Sequence, residues 1–471
     1  MSLAYQQAGI KEGVDVIDEG KYGREFALSM PSVAGRKLAS GWLWLGMASL
    51  VGSGLFAFLV VLSRTPYIQD IFPWADFFLT ALVVHVDMSV LLWFLAFAGV
   101  LWSLNSSSRF LGIGWLALAL AAGGAAMIGL SPFIDTGKPL MSNYVPVLQS
   151  PFFFSGLILF GAGIAVLVMR SLIAAPSADL WLGGEGSIRI GLSSSSISML
   201  FALAALGWSY IMIPNALDGI LYYDLLFWGG GHVLQFTYTL LMLAGWLWLA
   251  DACGAKIPLT PRVASFFFML GLLPVLYVPV IYLSYSGVMG DYLGQFTQLM
   301  RVGGSFAVVP LGLAVLYGVM VGGRTSATAP QRAAMLSSMF LFAIGGGISL
   351  VIKDSSTIIT AHYHGTGGAI SLAFMGLTFH LLPRLGYREP NLKWATLMPY
   401  VYGAGQLLHL LGLLWSGGYG AQRKVAGGLH GFAQTAGMGL MGLGGLIAVV
   451  GGIMFLVVVF KAMRRPVQQR L

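Results

Sequence analysis

Charge is what this sequence has least of. Lys, Arg, Asp and Glu together make up 9% of its 471 residues, where soluble globular chains carry roughly 25%. With 57% hydrophobic residues and a mean hydropathy of +0.83, the chain cannot cover itself with a water-compatible surface, which excludes a soluble fold. Cysteine is nearly missing too. The single Cys253 rules out an intrachain disulfide and a thiolate metal cluster, and without C-x-x-C-H no prosthetic group is held through thioethers. The net charge of +8 does not point to nucleic acid, because the basic residues are scattered through short loops between apolar runs.

What is present in quantity is long apolar runs and glycine. Glycine occurs 64 times, about twice the usual ~7%, and small residues let membrane helices approach closely. Runs of 18 or more apolar residues mark spans, and they must be helical because lipid cannot satisfy backbone groups. The sequence predicts twelve, at about 39–63, 77–104, 109–131, 148–170, 193–214, 225–250, 263–286, 297–322, 334–352, 360–382, 394–416 and 428–461. This is an all-α, polytopic membrane bundle in the lipid bilayer. Residues 1–38, polar and of mixed charge, are expected to form a cytoplasmic tail rather than a signal peptide. Residues 39–461 form the membrane domain and 462–471 a second cytoplasmic tail. With an inside N-terminus, nineteen of the 25 Lys and Arg residues fall on the inner side and six on the outer, as the positive-inside rule requires.

On that topology six of the seven histidines lie toward the outer side. They are His85 in the second span, His232 in the sixth, His362 and His364 opening the tenth, His409 in the eleventh and His430 opening the twelfth. His380 alone lies at an inner end. A lone histidine near a helix end is usually an interfacial residue, but ionisable groups inside a membrane are expensive and tend to mark function. The segment "TIITAHYHGTGGAIS" (357–371) adds geometry. A helix turns about 100° per residue, so His362 and His364 diverge by about 200° and serve groups on opposite faces. Hemes suit them, being planar, apolar and satisfied by one or two axial imidazoles.

These motifs resemble subunit I of the heme-copper oxidase superfamily, over nearly all twelve spans. "TAHYHGT" is similar to that family's H-x-H, and the resemblance implies that His362 binds a high-spin heme and His364 a low-spin heme. His85 matches the second low-spin ligand. "DLLFWGGGHVLQF" is similar to the sixth-span motif, which makes His232 a ligand of a second metal facing the high-spin heme. "QLLHLLGLLWSGGYGAQRK" resembles an outer loop whose paired basic residues, here Arg423 and Lys424, neutralise heme propionates.

The chain also departs from that pattern. Oxygen reductases of the family carry two adjacent histidines in the seventh span, where this chain reads "LYVPVIYLSYSGVMGDYLG". One imidazole is a poor copper site, and oxygen donors such as Tyr282, Tyr285, Asp291 or Gln235 would favour iron over copper. The family's sixth-span tyrosine position holds Phe236, while Tyr238 projects to another face. Few protonatable groups line the inner half, which argues against proton pumping; Asp87 lies outward, two residues after His85.

The expectation is therefore a respiratory oxidoreductase subunit of a bacterial or archaeal cytoplasmic membrane, with both termini cytoplasmic. It would carry two hemes and a non-heme iron or copper near His232. Electrons would come from a c-type cytochrome or a smaller membrane-anchored subunit carrying copper or c-type heme, and a small gas would be reduced, NO favoured over O2. The catalytic residues would be His362, His232, Gln235 and Tyr285. The alternatives are cytochrome c oxidase with an atypical second metal, a non-catalytic diheme electron-transfer subunit, and a heme-free transporter.

Overall fold

The computed structural model describes residues 25–62, 77–176, 183–214, 216–285, 289–323, 325–353, 355–423 and 431–464. Twelve helices in it are long and apolar enough to cross a membrane: α1 Val33–Val60, α2 Phe77–Leu104, α3 Leu111–Ile134, α4 Pro151–Ile173, α5 Gly183–Met212, α6 Gly219–Ala252, α7 Pro261–Ser284, α8 Asp291–Val321, α9 Ala329–Ser349, α10 Thr357–Arg384, α11 Leu392–Gly418 and α12 Phe432–Met463. Local chemistry sets several of their starts. Ser150, Thr260 and Asn391 each accept the backbone N–H three residues on, at 3.2–3.4 Å, and Pro151 and Pro261 supply a first helical residue that needs no donor.

Some boundaries differ from the hydropathy reading. The first helix begins at Val33, inside the segment assigned to the tail, and α5 begins at Gly183, ten residues before the run expected from 193. The reason for the second difference is an ion pair. Glu185 and Arg189 sit one turn apart and bond each other, so "GEGSIR" continues the helix although its hydropathy is low. Arg189 also donates to Asn105 Oδ1 (3.1 Å) and Ser29 Oγ (3.2 Å), tying the segment before α1 to α2 and α5.

The spans are not equal in burial. The most apolar window of α6 and of α10 is 83% buried within the protein and that of α2 is 67%, against 28–50% for the other nine. These three inner helices carry His85, His232, His362 and His364. They meet on an aromatic cluster, with Phe374 of α10 stacked on Phe97 of α2 at 4.4 Å and Tyr238 of α6 edge-on to Phe94 of α2 at 4.9 Å. Helices in lipid gain little from burying apolar surface against one another, so close interlocking of this kind holds them together.

A small antiparallel hairpin, β1 (Lys138–Leu140) and β2 (Val147–Gln149), joins α3 to α4 with Lys138 opposite Gln149. Its tip, residues 141–146, reaches the mouth of α6.

Candidate functional site

Four of the histidines are held in one recurring way. His85 Nδ1 lies 2.9 Å from Ser53 O of α1, His362 Nδ1 2.7 Å from Gly345 O of α9, and His409 Nδ1 2.9 Å from Met441 O of α12. His232 Nδ1 lies 2.8 Å from Trp228 O, one turn back on α6. A carbonyl can only accept, so each Nδ1 carries the proton and each Nε2 keeps its lone pair. That tautomer and that anchoring are what a metal-ligating histidine needs.

His362 and His364 do face opposite ways. The first reaches α9 through Gly345, whereas the His364 ring packs against His409 of α11, centroids 4.2 Å apart. Gln406 and His85 are further neighbours of His364. For His85, His362 and His409 no hydrogen bond to Nε2 occurs among the described residues. An apolar, helix-lined setting with such nitrogens on two sides of α10 suits hemes, so the donor chemistry fits the pair expected there. Just beyond His85, residues Asp87–Leu92 form a π-helical turn, a distortion often found at functional sites. Asp87 is 1% exposed, and neither carboxylate oxygen has a hydrogen-bond partner among the described residues.

The surroundings of His232 were not foreseen. Its ring is 5% exposed and lies among Trp228 (4.9 Å), Phe296 of α8 (5.8 Å) and Tyr144 of the hairpin tip (4.9 Å). The Tyr144 hydroxyl is 3.0 Å from Nε2 and, since Nδ1 holds the proton, donates to it. Tyr144 has φ 66°, a left-handed backbone rare for an aromatic residue. Three bonds hold it there: Ser142 Oγ donates to Val145 O, Val145 N–H to Asn143 O, and Asn143 N–H to Asp224 Oδ1 of α6. Gly231 makes the room, because a Cβ there would lie 2.2 Å from Tyr144 Cγ. Burial pushes the Tyr144 phenol well above its ordinary range, with neighbouring Tyr363 adding to the rise and Arg423 opposing it.

The other expected oxygen donors go elsewhere. Tyr282 donates to Ala205 O (2.8 Å), sits within 2.8 Å of Ser209 Oγ and 3.2 Å of Tyr292, and stacks on Trp208. Phe296 lies between it and His232. Asp291 is exposed at the start of α8. Gln235, half-buried, follows His232 by three residues and so shares its side of the helix. The Tyr285 side chain, Lys424 and His430 lie outside the described residues. Arg423 Nε donates to Ser355 Oγ (3.0 Å), which fixes it above the first turn of α10, and its charge acts on Tyr363 between the two α10 histidines. Among the described residues no group of three or more His, Cys, Asp or Glu is placed to hold a metal ion.

The chain is similar in structure to a heme-copper terminal oxidase determined by electron cryo-microscopy, with a TM-score of 0.68 over 92% of this chain and 85% of that one, at 15% sequence identity. The twelve-helix bundle thus shares the fold of a heme-copper terminal oxidase, the fold that the resemblance implied. In sequence it is 28% identical to an uncharacterized protein of Rickettsia prowazekii (strain Madrid E), covering 90% of this chain and 96% of that one. An uncharacterized protein of Aquifex aeolicus (strain VF5) is also 28% identical, over 76% of this chain and 88% of that one. No protein-family model matches the chain.

Proposed function

We propose that this chain is the heme-carrying subunit of a respiratory oxidoreductase that reduces a diatomic gas, NO in preference to O2. One observation carries the reading. His362 and His364 leave opposite sides of α10, toward α9 and α11, and His362 is anchored through Nδ1 so that Nε2 is free to bind iron. On this reading His85 and His364 hold a low-spin heme, His362 holds a high-spin heme, and Arg423 with Lys424 meets the propionates. Heme iron supplies one-electron transfer at the first position and gas binding at the second.

The protein's own part is to fix each imidazole and to keep water out. Ser53, Gly345 and Met441 set the tautomers through their carbonyls, and the aromatic cluster of Phe94, Phe97 and Phe374 seals the site from the inner side. The preference for NO rests on what the sequence withholds: no histidine pair in α7, and Phe236 where a redox tyrosine would stand. Converting two NO to N2O and water takes two electrons and two protons, whereas splitting O2 takes four electrons. A c-type cytochrome, or a membrane-anchored partner carrying copper or c-type heme, would deliver them from the outer side. The charge bias of the loops supports an orientation with both termini in the cytoplasm, and the membrane would be the cytoplasmic membrane of a bacterial or archaeal cell.

The test is a reduced-minus-oxidised spectrum with and without CO, followed by NO and O2 consumption with a reduced c-type cytochrome. A CO-reactive high-spin heme and faster NO turnover are expected. Two low-spin hemes without CO binding would leave an electron relay instead, and a colourless protein would remove the reading.

A further inference from the structure

We propose that the hydrogen-bonded pair Tyr144–His232 stands in place of a second metal, so that gas bound at the high-spin heme would meet a phenol and an imidazole. The inference rests on the heme reading above and concerns the one carbonyl-anchored histidine, among the described residues, whose Nε2 is already bonded. The other carbonyl-anchored histidines, His85, His362 and His409, keep Nε2 without a hydrogen bond among the described residues, but His232 Nε2 accepts from Tyr144 at 3.0 Å. A metal would need that same lone pair, at about 2.0–2.2 Å.

Tyr144 is not placed to step aside. Its left-handed backbone is clamped by Ser142, Val145, Asn143 and Asp224, and its ring fills the notch that Gly231 leaves in α6. Backbone strain of this sort costs on the order of 1–3 kcal/mol and persists only where the surroundings enforce it. Gln235 on the same side of α6 offers only an amide, and among the described residues no three His, Cys, Asp or Glu gather to hold a metal ion. Tyr282 and Tyr292 are bonded to Ser209 behind Phe296, and Asp291 is exposed. One imidazole, already used as an acceptor, does not make a copper or non-heme iron site.

The arrangement offers something different. A neutral imidazole held by Trp228 O orients the phenol and takes its one proton in a hydrogen bond, so that O–H would reach bound gas only by turning away from Nε2. Tyr363, the residue between His362 and His364, neighbours Tyr144. Tyr144 is thus placed between the α6 imidazole and the α10 segment that would hold both hemes. By exchanging its bond to His232 for one to heme-bound gas, it would be a specificity residue contributed by the loop and not by a span.

Metal stoichiometry and CO vibrational spectra test this on the full chain purified in detergent. Total iron should equal heme iron, with copper and other non-heme metal far below one per chain, and the oxidised high-spin heme should give an uncoupled paramagnetic signal. In Tyr144→Phe the heme content should stay the same, the C–O stretch of the CO adduct should shift, and CO affinity should change by about twofold to threefold at most, because the O–H exchanges His232 for the gas. His232→Ala should shift the same band, because it frees the phenol to turn. Copper or non-heme iron at one per chain, lost in His232→Ala, would overturn the inference and leave the heme reading intact. So would a C–O band in Tyr144→Phe identical to that of the unaltered chain. Protein without heme would overturn both.

Discussion

Gly345 and Gly365 meet backbone to backbone: a Cβ on Gly365 would lie 2.6 Å from the Cα of Gly345, and one on Gly345 would lie 2.7 Å from Thr366 N. The contact brings α9 against α10 where the Gly345 carbonyl accepts from His362. Overpacking here is expected to cost about 1–3 kcal/mol. Gly365→Ala should push Gly345 O away from the imidazole. The CO-reactive fraction of the heme spectrum should fall while the low-spin bands of the His85–His364 position persist, which difference spectra of the purified variant would show.

The two faces of α10 should be separable by mutation. His364→Ala and His85→Ala should each remove the low-spin heme and leave CO binding; His362→Ala should abolish CO binding and leave the low-spin spectrum. Each variant should hold half the heme of the unaltered chain by a pyridine hemochrome assay. Loss of both hemes from every variant would show that the faces are not independent.

Away from the histidines, Glu185 should matter for stability. It accepts from Arg189 and from Ser29, and Arg189 is itself 4% exposed. Glu185→Ala leaves that buried guanidinium with Asn105 and Ser29 alone. The expected loss is about 2 kcal/mol, read as a lower melting temperature in detergent, with heme spectra unchanged.

The phenol of Tyr144 gives a pH prediction. Burial raises its pKa above the model-peptide value of 10.0, so the neutral phenol is favoured by folding. The corresponding stability is fully present below about pH 10, where the unfolded chain begins to lose its phenolic protons, and declines as pH rises toward the folded value. Melting curves of Tyr144→Phe and the unaltered chain should therefore run parallel between about pH 6 and 9. Above about pH 10 the unaltered chain should lose ground to the variant. A divergence near neutrality would mean that Tyr144 is not buried as described.

Much of the bundle was legible in the sequence because apolar length and charge bias are one-dimensional signals. Twelve runs became twelve helices, and the 200° divergence of His362 and His364 became contacts with Gly345 on one side and His409 on the other. Helix ends were less legible. The Glu185–Arg189 pair hides a helix start inside a polar stretch, since hydropathy counts two charges where the fold has a neutral pair.

The surroundings of His232 were not legible. Tyr144 lies 88 residues before it, in a loop between other spans. Its only local sign is an aromatic residue at the tip of "KPLMSNYVPVLQ", after a serine and an asparagine able to fix a turn. The three glycines before His232 were a better clue: such a run in the middle of a helix invites something bulky to approach. Sequence could show the notch and not its occupant. Likewise His409 was one histidine among several until α11 packed against α10 and set its ring on His364.

Composition and period alone determined that this chain lives in a bilayer, how many times it crosses, and which helix presents two imidazoles in opposite directions, because each depends on neighbours along one rod. Tertiary structure alone decided which helices lie innermost, which carbonyl fixes each ring, and that a loop tyrosine claims the free nitrogen of His232. Those outcomes depend on contacts between residues far apart in the chain, and no pattern along the chain encodes them.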